Sequence, residues 1–129
     1  MNSRKIQIIK NSAHETVEIF YSTDPVALSV NFADGFSISR SGNTIFECFS
    51  KIRASLPSIV FLCKGAKRNV YPSRMSSQMA SGLLAYEFKL GEQALKKDIV
   101  NIFDHDEIDV VEDPNDQAEF YRIWLESLK

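Results

Sequence analysis

Two long stretches of the chain each lack charges of one sign. No aspartate or glutamate occurs in residues 48–86, where six lysines and arginines lie. No lysine or arginine occurs in residues 98–119, where nine acidic residues lie. Because the net charge of the chain is only −2, the overall balance conceals this segregation. Segregated charge bears on the choice of partners rather than on the fold.

Cysteine is scarce, and long apolar runs are absent. The two cysteines, Cys48 and Cys63, lie among apolar neighbours, which is typical of buried thiols in a reducing compartment rather than of a disulfide. No stretch approaches the roughly 20 apolar residues of a membrane span, and residues 1–24 lack the continuous apolar run of a signal peptide. The sequence therefore predicts a cytoplasmic protein without a membrane partner.

The chain also lacks a recognisable catalytic or metal-binding set. Of its two histidines, His14 lies in a predicted turn, and His105 lies in an Asp-His-Asp-Glu sequence that matches no established ligand spacing. No serine occupies a Gly-x-Ser-x-Gly turn, and no glycine-rich phosphate loop is present. We therefore expect a protein that is not an enzyme and that uses no metal or other cofactor.

What is present indicates one α+β domain over residues 1–129. Apolar residues make up 44% of the chain, which is enough for a core. Alternating patterns predict a largely antiparallel sheet of about five or six strands. Helical spacing predicts main helices at residues 44–56 and 114–128 and a short helix at 74–81. In the first helix, Arg53 is expected to face solvent, and the helices are expected to cover one face of the sheet.

The basic segment, residues 64–74, is one candidate site. Its cations accompany an aromatic ring, and such a ring can stack on a nucleic-acid base. On this hypothesis the chain is an RNA- or nucleotide-binding module that uses Lys64, Lys67, Arg68, Arg74 and Tyr71. A solvated loop is the alternative, and it is favoured because domains built for nucleic acid usually have an excess of basic residues.

The acidic segment, residues 104–116, is the other candidate site. Ile108, Val110 and Val111 are set among its carboxylates. On composition alone, a solvated loop before the last helix is the simpler interpretation. The functional interpretation is an anionic surface that meets a basic partner, because such a surface accelerates association and can occupy a site that normally receives phosphates.

Part of the chain resembles a known group of proteins. The matching residues are Gly65 to Gly82 with Asn-Val-Tyr-Pro-Ser-x-Met at 69–75 and Met79, then Ala-Tyr at 85–86, then Val-x-Ile-Phe-Asp at 100–104. This pattern resembles small bacterial immunity proteins of polymorphic-toxin and contact-dependent growth inhibition loci. The resemblance covers residues 65–104, and the first sixty residues match nothing specific.

The resemblance implies an inhibitor without enzymatic activity. Its partner would be the C-terminal domain of a cognate toxin, a nuclease that is basic because it holds phosphodiesters, and inhibition would block the active site or the path of the substrate. The acidic segment suits that partner, with apolar anchors among or beside it. We expect Tyr71 and its neighbour Pro72 to serve the loop structure at least as much as contact. The predicted toxin-binding residues are Asp104, Asp106, Glu107, Asp109, Glu112, Asp113, Asp116, Phe103, Ile108, Tyr71 and Tyr121.

Overall fold

The computed structural model describes residues 2–73 and 79–129 and confirms an α+β fold. A five-stranded and a three-stranded sheet, both antiparallel, accompany two α-helices within these residues. None of the described helices is both long and apolar enough to cross a membrane. The elements are β1 (Asn2–Lys10), β2 (Ala13–Thr23), β3 (Val26–Asn31), β4 (Ser37–Ser41), α1 (Ile45–Ser55), β5 (Val60–Phe61), β6 (Val70–Tyr71), β7 (Leu84–Glu87), β8 (Ile99–Asn101) and α2 (Pro114–Ser127).

The larger sheet has the strand order β4-β3-β2-β1-β5. Its first four strands form a meander in chain order, and β1 faces β2 along nine residue pairs, from Asn2↔Tyr21 to Lys10↔Ala13. Because side chains alternate across a strand, Ile6 and Ile8 of β1 lie on the same face as Val17 and Ile19 of β2. All four are buried, and this face carries the core.

Helix α1 covers the inner face of this sheet. It begins where the sequence predicts, because the Thr44 hydroxyl caps it by accepting from the Glu47 amide at 3.0 Å. Its buried Phe49 ring packs edge-on against Phe61 and against Phe103, with both centroid distances 5.3 Å. One aromatic cluster therefore joins the helix to the larger sheet and to the chain that follows β8.

The smaller sheet has the strand order β6-β7-β8. The chain that leads from the larger sheet into β6 packs closely against the end of β8 at Gly65. A Cβ atom at Gly65 would lie 2.8 Å from both Ile102 Cβ and Ile102 O, a separation that real Cβ atoms do not reach. The Gly65 amide donates to that same carbonyl at 2.6 Å. The close packing of residues 64–66 on the end of β8 therefore requires glycine.

A buried polar network ties α1, α2 and the chain between them. The Arg53 guanidinium donates to Gln117 Oε1 at 2.7 Å, to the Val111 carbonyl at 2.8 Å and to the Gly65 carbonyl at 3.3 Å. The Gln117 amide donates to the carbonyls of Gly65, Lys67 and Val70 at 2.8, 2.8 and 3.1 Å. Arg53 is 1% exposed and Gln117 is fully buried.

Three sequence expectations need correction. Arg53, expected in solvent, is in the core. The strands expected in one sheet are divided between two, because residues 58–63 pair with β1 only at Val60 and Phe61 before the chain turns away. Of the short helix expected at 74–81, residues 74–78 lie outside the described part. In Met79–Gly82, Ala80 and Ser81 have positive φ, so these described residues do not form a regular right-handed helix.

We expect Gln117→Leu to lower the free energy of unfolding by about 3 kcal/mol, because the carbonyls of Gly65, Lys67 and Val70 each lose a buried donor and one guanidinium N–H loses its acceptor. Urea unfolding measures this loss. The matched control is Gln93→Leu, the same substitution at an exposed position, which should change the free energy of unfolding by less than about 0.5 kcal/mol. Equal effects of the two substitutions would contradict the structural role of the network.

Candidate functional site

The acidic segment is fixed along the basic segment. Two antiparallel bridges join them, Cys63↔His105 and Lys67↔Val110. Backbone amides of Lys64 and Arg68 donate to the carbonyls of Asp104 and Asp109 at 2.8 and 2.9 Å, and the amide of Val111 donates to the carbonyl of Ala66 at 2.8 Å. The acidic segment is therefore held to the fold up to Val111 by regular backbone bonds rather than lying free in solvent.

Four charged side chains form a compact cluster where the two segments meet. The ammonium groups of Lys64 and Lys67 lie 3.0 and 2.9 Å from Asp106 Oδ2, and both also contact Glu87 of β7. The side chains of Lys67 and Asp106 are only 8% and 14% exposed. At this depth a charge is stable only when it is paired, and each member of the cluster has a partner of opposite sign.

The cluster shifts the pKa of two of its members. Burial by itself raises the pKa of Asp106, but the Ile108 amide and the Lys67 and Lys64 ammonium groups together hold it well below its usual value. Burial lowers the pKa of Lys67, but hydrogen bonds to Glu87 and Asp106 outweigh this and raise it. Both groups are therefore fully charged near neutral pH.

Two further ion pairs lie at the rim. Arg68 Nε is 3.2 Å from Asp109 Oδ1, and Arg4 Nη1 of β1 is 3.2 Å from Asp104 Oδ1. Their side chains are 36–51% exposed, so each pair adds little stability. The two oppositely charged segments of the sequence thus neutralise each other across the fold, and each positive charge at residues 64–68 has a carboxylate partner.

What the acidic segment presents outward is a tight turn with an apolar tip. Ile108 is 74% exposed, the largest exposure among the large apolar side chains that the structure describes. Glu107 and Asp109 flank it, with side chains 60% and 50% exposed. The turn is ordered by the Asp106 carboxylate, which accepts from the Ile108 amide at 2.9 Å, and by Asp109, whose φ is +55°. We call residues 106–109 the Ile108 turn.

The remaining carboxylates of the segment continue toward α2. Asp113 is its N-cap and accepts from the Asn115 amide at 2.9 Å, as the sequence predicts. Glu112 and Asp116 are exposed, and neither is in an ion pair within the described residues. Glu107 Oε2 lies 3.5 Å from His105 Nε2. None of Glu107, Glu112, Asp113 and Asp116 has a lysine or arginine partner within the described residues.

The three predicted aromatic anchors all pack against other rings of the fold. Phe103 is 1% exposed and packs between Tyr21 and Phe49, so it cannot reach a partner on the folded surface. Tyr71 stacks on Tyr121 at a centroid distance of 4.9 Å, and both are only partly exposed within an aromatic group that attaches α2 to β6. The packing of Tyr71 fits the structural role expected for it beside a possible contact role. Ile108 is by far the most exposed of the four predicted anchors.

The residues of the nucleic-acid hypothesis are largely engaged inside the fold. Lys64, Lys67 and Arg68 are paired with carboxylates, and the Tyr71 ring is stacked on Tyr121. Arg74 lies outside the described residues. The signal that sequence reasoning missed is that two adjoining segments of opposite charge can be partners of each other.

We expect Asp106→Asn to lower the free energy of unfolding by about 2 kcal/mol at pH 7, because two poorly exposed ammonium groups lose their shared carboxylate. Since the pKa of Asp106 is depressed in the folded state, its contribution is complete above the ordinary carboxyl pKa of about 3.9 and is lost as the pH falls below that value. Urea unfolding at pH 7 and at about pH 2.5 should therefore show the difference between wild type and variant shrinking in acid.

The matched control for this prediction is Asp104→Asn, the same substitution in the exposed pair with Arg4. It should change the free energy of unfolding by less than about 1 kcal/mol at either pH. A loss in Asp106→Asn that is equally large in acid would show that the substitution acts through packing and not through charge.

Comparison with known proteins identifies no relative. No family model matches the sequence, and no curated protein matches it. The resemblance of residues 65–104 to immunity proteins therefore stays a prediction, and the geometry around the Ile108 turn is the ground on which function is argued.

Proposed function

We propose that this chain is a cytoplasmic immunity protein without enzymatic activity, which binds and neutralises the C-terminal domain of a cognate toxin through the Ile108 turn. The observation that carries the proposal is an apolar side chain held outward at 74% exposure on an ordered turn between two carboxylates. A fixed apolar anchor with a polar rim is the usual centre of a protein interface.

The order of the turn favours binding over simple solvation. The backbone of a mobile loop would lose conformational entropy on contact, whereas the backbone at Ile108, which is fixed by the Asp106 carboxylate and by the bridge at Val110, has already lost it on folding.

The carboxylates that have no lysine or arginine partner within the described residues favour a basic partner. Glu107, Glu112 and Asp116 project from the same segment without a lysine or arginine in it to offset them. Their field accelerates encounter with a positively charged surface. A nuclease domain is the proposed partner class because its substrate-binding surface is basic, and occupation of that surface would block its nucleic-acid substrate.

The test is co-expression of the chain with the C-terminal domain encoded by the adjacent upstream gene, followed by size-exclusion chromatography and a nuclease assay. We expect a complex of the two and loss of nuclease activity. Recovery of the two proteins as separate species, with the activity intact, would refute the proposal.

We expect Ile108→Ala to weaken that complex about tenfold or more, because the removed side chain is the proposed central anchor. Calorimetric titration of the toxin domain measures this change. The matched control is Leu90→Ala, which truncates another apolar side chain that is 54% exposed on a different surface. The control should bind as tightly as wild type, and equal weakening by both variants would remove the turn from the interface.

Charge reversal at Glu107 tests whether this side chain acts on the association rate or on the dissociation rate of the complex. Glu107→Lys should slow association by roughly tenfold at low salt and have little effect at high salt, because rim charges act mainly on the association rate. Surface plasmon resonance at two ionic strengths measures both rates. If the effect lies in the dissociation rate and persists at high salt, Glu107 is a buried contact and the assignment to the rim is wrong.

A further inference from the structure

The two ends of the larger sheet differ in how their edges are protected. At one end, the outward carbonyls of β4 are covered by basic side chains. Arg40 Nη1 donates to Ser39 O at 2.7 Å, and Lys51 Nζ donates to Ser41 O at 2.9 Å. Covering an edge in this way discourages another strand from pairing with it.

At the other end, the first half of β1 has no described neighbour on the side away from β2. Strand β5 pairs with β1 only at Ile8 and Ile9, and one further bond runs from the Leu62 amide to the Gln7 carbonyl at 2.9 Å. Because the backbone groups of alternate residues point to the same side of a strand, those of Ser3 and Lys5 also point to this side, away from β2. Among the described residues, the N–H and C=O groups of Ser3 and Lys5 have no hydrogen-bond partner.

A cleft lies on this side of β1 and begins at Arg4 and Lys5. It has a volume of about 270 Å³, and its walls are β1 on one side and the chain around Leu62, Phe103 and His105 on the other. The Arg4–Asp104 ion pair spans the gap between the two walls. The cleft forms because the chain after β5 leaves β1 and turns toward the smaller sheet, so the place of the next strand stays open.

We infer that this cleft accepts an extended segment of a partner protein, which pairs with the free edge of β1 at Ser3 and Lys5 and carries an acidic side chain opposite Lys5. An extended backbone is the ligand that supplies the missing acceptors and donors in register. The inference goes beyond the proposed toxin binding and does not depend on it, because its residues and its backbone chemistry are separate from those of the Ile108 turn.

The charge of Lys5 indicates which side chain the incoming strand should carry. Lys5 is exposed, and its cross-strand neighbour on β2 is Glu18. A carboxylate on the incoming strand would extend this alternation across the sheet, because opposite charges directly across a strand pair stabilise and like charges destabilise. A second copy of the chain fits poorly: antiparallel pairing of two β1 edges about a two-fold axis at this position sets Lys5 against Lys5, or Arg4 against Arg4.

The test is NMR titration of the ¹⁵N-labelled full chain with two blocked peptides, acetyl-Thr-Val-Asp-Val-Thr-amide and its counterpart with lysine in place of aspartate. We expect the aspartate peptide to shift the amide signals of Ser3 and Lys5 and to bind roughly threefold or more tightly than the lysine peptide. Shifts confined to other amides, or equal binding of the two peptides, would overturn the inference, as would self-association of the free chain through these amides.

Two variants sharpen the test. Lys5→Pro removes an N–H that the fold does not use, and proline is tolerated at such edge positions. The variant should keep the thermal midpoint within a few degrees of wild type but lose the aspartate peptide. Lys5→Ala, its control, keeps the N–H and should still bind. Lys5→Glu leaves the backbone intact and should invert the preference between the two peptides, so it tests the inference even if the proline variant fails to fold.

A further control places proline at the preceding residue of β1, Arg4. Arg4→Pro removes an N–H that points toward β2, so this variant should unfold at a clearly lower temperature than Lys5→Pro. If Lys5→Pro binds the aspartate peptide as wild type does, or if Lys5→Glu keeps the wild-type preference, the free edge of β1 is not the binding site.

Discussion

The buried Arg53–Gln117 interaction is the constraint on which the rest of this structure depends. A guanidinium that is 1% exposed is costly, and burial lowers its pKa to about 10, so Arg53 still carries its charge at neutral pH. No carboxylate is in contact with it in the described structure. Three carbonyl-type oxygens accept its bonds instead, from Gly65, Val111 and Gln117. Those oxygens belong to segments far apart in the chain, and satisfying one cation fixes all of them together.

The outer features follow from this inner network. The side-chain amide of Gln117 donates hydrogen bonds to the carbonyls of Gly65, Lys67 and Val70. These bonds fix the backbone of the basic segment from residue 65 to residue 70. The path of this backbone determines where the ammonium groups of Lys64 and Lys67 lie, and these groups in turn hold Asp106. Asp106 then orders the Ile108 turn through its second oxygen. An exposed anchor is thus held by a chain of bonds that begins in the core, which is how a surface loop gains a single conformation.

Local signals in the sequence predicted the local structure well. Alternation predicted the four strands of the meander, Thr44 and Asp113 capped the two helices as expected, and both cysteines are buried. These features depend on neighbours in the chain. The α+β class followed from them, because a sheet with one apolar face and two amphipathic helices must pack in layers.

Non-local features could not be predicted in the same way. Arg53 lies on a helix face that looks polar, and only the acceptors brought by residues 65, 111 and 117 make its burial possible. The division into two sheets depends on where the chain leaves β1 after β5, which a continuous apolar run does not reveal. Phe103 looked like an anchor beside the acidic segment, yet its ring completes the cluster around Phe49. In each case at least one of the deciding partners is more than 50 residues away in sequence.

The mutual neutralisation of the charged segments changes what binding here requires. If the carboxylates of the acidic segment were all free, charge alone could attract a basic surface, and binding would be strong but unselective. Because Asp104, Asp106 and Asp109 are engaged within the fold, the residual charge of the surface is smaller. On the two proposals made above, selectivity for a partner then depends on surface shape. Two such surfaces lie near His105, the Ile108 turn and the open edge of β1. The ion pairs that reduce the charge of this surface also help to hold the Ile108 turn, so on the proposed function one set of contacts would serve both stability and recognition.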